Sequence, residues 1–128
     1  MIDSSITAGN SVSLLSGNGI GVSPGNVTLE FDVTREHSLV TLVSMLAPSP
    51  DWFVGVHGLN LLQGNQWVEN ISVELMPYDA GTDNGTDYVS SDDDTQPKQP
   101  IAEITGAPFL NNGSGKPVGT FRFTRINP

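Results

Sequence analysis

The chain has 128 residues, fourteen acidic side chains against five basic ones, a formal charge of −9, and no cysteine. That length bounds it to a single domain with a real core. The acidic surplus argues against nucleic acid and against direct docking on anionic lipid, and without cysteine neither disulfides nor thiolate zinc sites arise.

An apolar share of 37% with fourteen glycines and nine prolines fits a turn-rich all-β domain better than a helical one. No apolar run approaches a membrane span, and the start "MIDSSITAGN" lacks the basic and apolar regions of a signal peptide.

Residues 1–26 are rich in Ser, Gly and Asn and read as an irregular approach with one short strand near Ser11–Leu15. "NVTLEFDVT" then alternates, with Val27, Leu29, Phe31 and Val33 on one face, and predicts a half-buried strand over 27–34. "REH" is a polar turn and "SLVTLVSML" (38–46) a more continuously apolar strand, the two pairing as an antiparallel hairpin. The proline-rich bend at 47–50 ends that strand. "WFVGVHGLNLL" (52–62) resumes it, with Gly55 and Gly58 allowing a kink or bulge. "WVENISVELM" (67–76) alternates again through Ile71, Val73 and Leu75.

From Pro77 to Pro100 the pattern stops in a long aspartate-rich loop, a kind of segment that is usually functional or mobile. "IAEIT" (101–105) predicts a short strand, and "VGTFRFTRI" (118–126) a closing strand with Phe121 and Phe123 on one face. No segment shows a sustained helical period. The sum is an all-β, antiparallel β-sandwich of about seven or eight strands, with 1–26 as its approach and 27–128 as its body.

Catalytic chemistry is poorly served. There is no nucleophile elbow, and neither His37 nor His57 stands in a motif. Oxygen ligands are the abundant resource, and calcium takes six to eight of them from carboxylates, carbonyls and water. Asp32 near the end of its strand, Asp51 in "PSPDWF", and Asp79 just past the 67–76 strand are acids that one end of a sandwich could gather. Asp83 follows in "YDAGTDNG". Each has a plainer reading, since an Asp beside Pro or Gly commonly caps a turn through its own backbone amides. "SSDDDT" (90–95) reads as a solvated acidic tip.

"HSLV", "PSPDWFVGV", "LNL" before a short turn and Trp67, and "PYDAGTD" at matching spacing strongly resemble the spondin (F-spondin) domain family, as in F-spondin and mindin. The match is dense over 37–85 and weaker over 27–36 and at "GTFRFTRI". The resemblance implies a C2-like β-sandwich with a bound Ca2+ ion, whose acidic ligands fall on Asp32, Asp51 and Asp79, with Asp83 as a fourth ligand or a supporting acceptor. It further implies an extracellular, secreted or cell-surface adhesion and recognition module and no enzyme. The expected partner is an unidentified cell-surface or matrix ligand, protein or glycan. The chain departs from the pattern at Asp32, where relatives such as mindin carry Glu, and at His57 and Leu62, where an Asp and a Cys are usual. A calcium-dependent carbohydrate or lipid binder and a structural spacer stiffened by an ion are the alternatives.

Overall fold

The computed structural model describes residues 2–126. The chain falls into two compact units that divide between Ser38 and Leu39.

The first unit opens with helix α1 (Ile2–Thr7), which the sequence reading did not predict. Six residues are too few for a helical period to show in the pattern. The helix closes at Gly9, at φ 74°, whose amide donates to the Ile6 carbonyl at 3.0 Å. Thr7 Oγ1 donates back to the Asp3 carbonyl at 2.9 Å.

Neither strand expected in this unit forms. Residues 11–15 and 27–34 lie outside any strand, and Val12, Leu14, Val27 and Leu29 are exposed. The expected hairpin of 27–34 with 38–46 is therefore absent, although the turn between them is real: the His37 amide donates to the Thr34 carbonyl at 3.1 Å. Alternation reports that one face could be buried. A strand also needs a neighbour for its backbone N–H and C=O groups, and here none pairs with it.

The second unit carries the sheets. Strands β1 (Leu39–Met45) and β2 (Trp52–Asn60) form an antiparallel hairpin, registered from Leu39 opposite Asn60 to Met45 opposite Phe53. The proline bend thus reverses the chain, where the sequence suggested a strand interrupted and resumed. Leu46 N donates to the Trp52 carbonyl and Ser49 N to the Leu46 carbonyl, both at 2.9 Å. Buried Ser49 accepts the Trp52 amide on its Oγ at 3.3 Å. Near the far end, Thr41 stands against both His57 and Gly58, a bulge in β2 that Gly58 accommodates at φ 60°. Thr41 Oγ1 takes the Gly58 amide at 3.0 Å.

Strands β3 (Leu62–Gln63) and β4 (Gln66–Trp67) make a tight hairpin. Then β5 (Asn70–Leu75) runs into β6 (Pro77–Asp79) with only Met76 between them. At that residue the chain changes sheets. β6 pairs with β2 and with β7 (Ala102–Glu103), giving an antiparallel sheet ordered β1-β2-β6-β7. A small hairpin of β8 (Leu110–Asn111) and β9 (Ser114–Gly115) precedes β10 (Gly119–Thr124), which pairs along the whole of β5. The expected faces hold there: Phe121 stands opposite Val73, Phe123 opposite Ile71, and all four are half-buried.

Apart from one short helix, the regular structure of the described residues is all antiparallel strand, and no helix among them is long and apolar enough to cross a membrane. β5 approaches β2, and the core gathers between them from Val40, Trp52, Val54, Leu75, Pro77 and Phe109. Trp52, 3% exposed, meets Phe109 and Tyr88 edge-on at 5.3 Å each. Burial of Trp52 and Phe109 contributes about 1.5–3 kcal/mol each, and the edge contacts add to that.

Candidate metal centre

Asp51 enters the structure from a stiff turn. Pro48 and Pro50 restrict the backbone before it, Ser49 locks the turn beneath, and Trp52 anchors the residue after it in the core. Phe53 does not share that anchoring role: alternation turns it to the opposite face, where it stacks on Tyr78 at 5.7 Å.

The partners of Asp51 come from 31 and 32 residues along the chain. Its Oδ2 accepts the Thr82 amide at 2.6 Å, the Thr82 hydroxyl at 2.8 Å and the Asp83 amide at 3.0 Å. Its Oδ1 is buried and has no hydrogen-bond partner. One oxygen is saturated and the other is left bare. An unsatisfied buried acceptor costs about 1–3 kcal/mol, so a carboxylate fixed this firmly by one oxygen fits a cation at the other.

Asp79 stands opposite Trp52 in the ladder, one residue from Asp51 along β2. Its Oδ1 accepts the Gly81 amide at 2.6 Å, an Asx turn that starts the loop between β6 and β7. Gly81 takes φ 73°, and a Cβ there would lie 2.2 Å from the Gln99 carbonyl oxygen, so only glycine fits. Asp83 works within the same loop: Oδ1 takes the Gly85 amide at 2.8 Å and Oδ2 the Asp93 amide at 2.9 Å.

The long loop is consequently a pinned structure. Asp83 bridges Asp94 as an isolated antiparallel pair, Asn84 N donates to the Asp93 carbonyl at 2.8 Å, and Gln99 N donates to Gly81 at 2.8 Å. Its tip folds back so that Tyr88 packs on Trp52, and burial pushes the Tyr88 phenol up from its ordinary range. The acidic run is partly employed as well. Lys98 bonds Asp94 and the Thr82 carbonyl, the latter at 3.1 Å, and the Lys98 ammonium with the Gln96 amide holds the exposed Asp94 carboxyl below the usual carboxylate range.

Asp79 and Asp83 also line a cleft of about 430 Å³ with Thr95, Gln99 and Glu103. Among the described residues, no three His, Asp or Glu side chains come together closely enough to hold a metal ion as a group. Asp51, Asp79 and Asp83 belong to the second unit, and exposed Asp32 to the first.

Sequence reasoning missed Thr82, the residue that ties Asp51 to the loop. No local spacing marks a partner 31 positions away. Ser49 and Tyr88 were missed for the same reason: their roles depend on the fold closing.

The Spondin_N family model matches residues 3–114. Spondin-2 of Homo sapiens is 40% identical over 102 residues, which cover 80% of this chain and 29% of that protein. Spondin-2 of Rattus norvegicus is 37% identical with the same coverage. Spondin-1 of Gallus gallus is 40% identical over 105 residues, covering 76% of this chain and 13% of that protein. The chain therefore spans less than a third of the length of these relatives. With most of its length matched by the family model, and two fifths of the aligned positions identical, the chain belongs to the spondin domain family.

Proposed function

We propose that this domain is a calcium-binding extracellular module for adhesion or recognition, not an enzyme. One observation carries the metal reading: Asp51 has one carboxylate oxygen held by three donors and the other buried without a partner. Asp51 and Asp79 would hold the ion. Asp32 is the further acid that family resemblance assigns, and Asp83 supports Asp51 through its backbone amide. When bound, a calcium ion supplies positive charge and accepts hard oxygen donors. The chain's part is to bring the proline turn and the β6–β7 loop together, which Thr82 does through its two bonds to Asp51. Work outside the cell follows from the family. The ligand recognised is a surface or matrix protein or glycan.

The test is thermal unfolding of the purified chain with excess calcium, with chelator, and with magnesium. Calcium raises the melting temperature in the wild-type chain, and Asp51→Ala removes most of the increase. Coincident curves in calcium and chelator defeat the metal reading.

A further inference from the structure

Strand register places four side chains in one row across the four-stranded sheet. Met45 in β1 stands opposite Phe53 in β2, Phe53 opposite Tyr78 in β6, and Tyr78 opposite Glu103 in β7. Directly opposed residues share a face, and Trp52 and Val54 take the buried one, so this row lies on the other. Phe53 and Tyr78 stack with ring centroids 5.7 Å apart and planes 27° apart, an aromatic pair standing together on this face. Beside it, Val43 stands opposite Gly55, where no side chain rises above the sheet. Val43 is 66% exposed and Met45 60% exposed, while Phe53 and Tyr78 are half-buried. Glu103 is exposed and has no ion pair among the described residues.

We propose that this row is a docking surface for an arginine-bearing extended segment of a partner protein, the guanidinium packing against the Phe53–Tyr78 pair and pairing with Glu103. Arginine suits the row better than lysine because its planar head stacks on aromatic faces and bonds a carboxylate with two parallel N–H groups. Val43 and Met45 receive an apolar neighbour on the same segment. A glycan fits less well: the face offers one carboxylate and few other hydrogen-bonding groups between Val43 and Tyr78, and sugars need several. Fourteen acids against five bases steer a basic segment toward the chain. The row lies on the opposite face from Trp52, but Glu103 also borders the cleft lined by Asp79 and Asp83, so the test holds calcium constant.

The experiment is NMR of the full chain at fixed calcium, titrated with the peptide acetyl-Val-Arg-Val-amide, with the same peptide carrying citrulline for arginine, and with methyl α-mannoside. Saturable shifts at the Met45 methyl and the Tyr78 ring with the arginine peptide, at least tenfold weaker with citrulline and in Glu103→Gln, support it. Glu103 is exposed, so that variant keeps the fold, which its amide spectrum verifies. The inference is overturned by no shift at Met45 and Tyr78, or by equal binding to Glu103→Gln. It is overturned equally by the same shifts with the mannoside, or by concentration-dependent broadening of these signals without peptide, which means a second copy covers the face.

Discussion

Thr82 grips one oxygen of Asp51 twice, with its amide at 2.6 Å and its hydroxyl at 2.8 Å. These bonds fasten the β1–β2 turn to the β6–β7 loop, whatever else occupies the site. Thr82→Val removes the hydroxyl and keeps the amide, so it lowers stability by about 1–2 kcal/mol, as expected for a bond to a charged acceptor. Asp51→Ala removes every bond of the set and costs about 2–4 kcal/mol. The double variant is no worse than Asp51→Ala alone, because the hydroxyl then has nothing to lose. Urea unfolding of the four chains in chelator measures this, and simple additivity contradicts the direct contact.

Calcium at a hundredfold excess over its dissociation constant adds about 2.7 kcal/mol by linkage, which for a domain of this size is a shift on the order of 10 °C. Asp79→Asn keeps the oxygen that caps Gly81 and removes charge. It is therefore expected to keep the melting temperature in chelator while losing most of the calcium increment. Scanning calorimetry at several calcium concentrations separates the two effects.

Gly85 lies against the proline turn: a Cβ there would stand 2.3 Å from Pro50 Cγ and 2.9 Å from Ser90 Cβ. Gly85→Ala forces the loop off the turn and costs about 1–3 kcal/mol, the usual range for overpacking. It also draws Tyr88 away from Trp52, so tryptophan emission changes in the folded protein. Pro50→Ala in the same chain shortens the obstructing ring and recovers part of the loss. Recovery, read from the urea midpoint and the emission maximum, identifies the contact as the cause.

Burial keeps the Tyr88 proton bound to higher pH in the folded chain than in the unfolded one. Unfolding therefore releases that proton once pH passes the ordinary tyrosine value of about 10, and stability falls as pH rises through the window above it. Tyr88→Phe removes this component while keeping the ring against Trp52 and Phe109. Its stability is expected to fall less steeply between pH 10 and the point where the chain unfolds, as chemical denaturation at stepped pH would show.

Strands whose alternation is answered by a partner were legible in the sequence. Ile71, Val73 and Leu75 face Phe123, Phe121 and Gly119 across β5 and β10, and both strands announce themselves in the pattern. The same pattern at Val27, Leu29, Phe31 and Val33 misled, because periodicity describes a side-chain face and is silent about the neighbour. The proline turn was recognisable as stiff, but its direction was not, since reversal depends on Leu46 meeting Trp52. Of the candidate site, the acids themselves stood out. Their division of labour did not: Asp79 and Asp83 each bond nearby amides, as turn-capping aspartates do, and only Asp51 reaches across the chain. Thr82 looked like one more polar loop residue because its importance is entirely tertiary.

The passage from β5 to β6 through Met76 preserves a two-residue beat across both sheets, from Ile71, Val73 and Leu75 on to Pro77 and Asp79. Adding or deleting one residue between 70 and 79 would turn either the apolar set of one sheet or Asp79 of the other toward the wrong side. The ten-residue run acts as a ruler that fixes how far the acid lies from the hydrophobic seam.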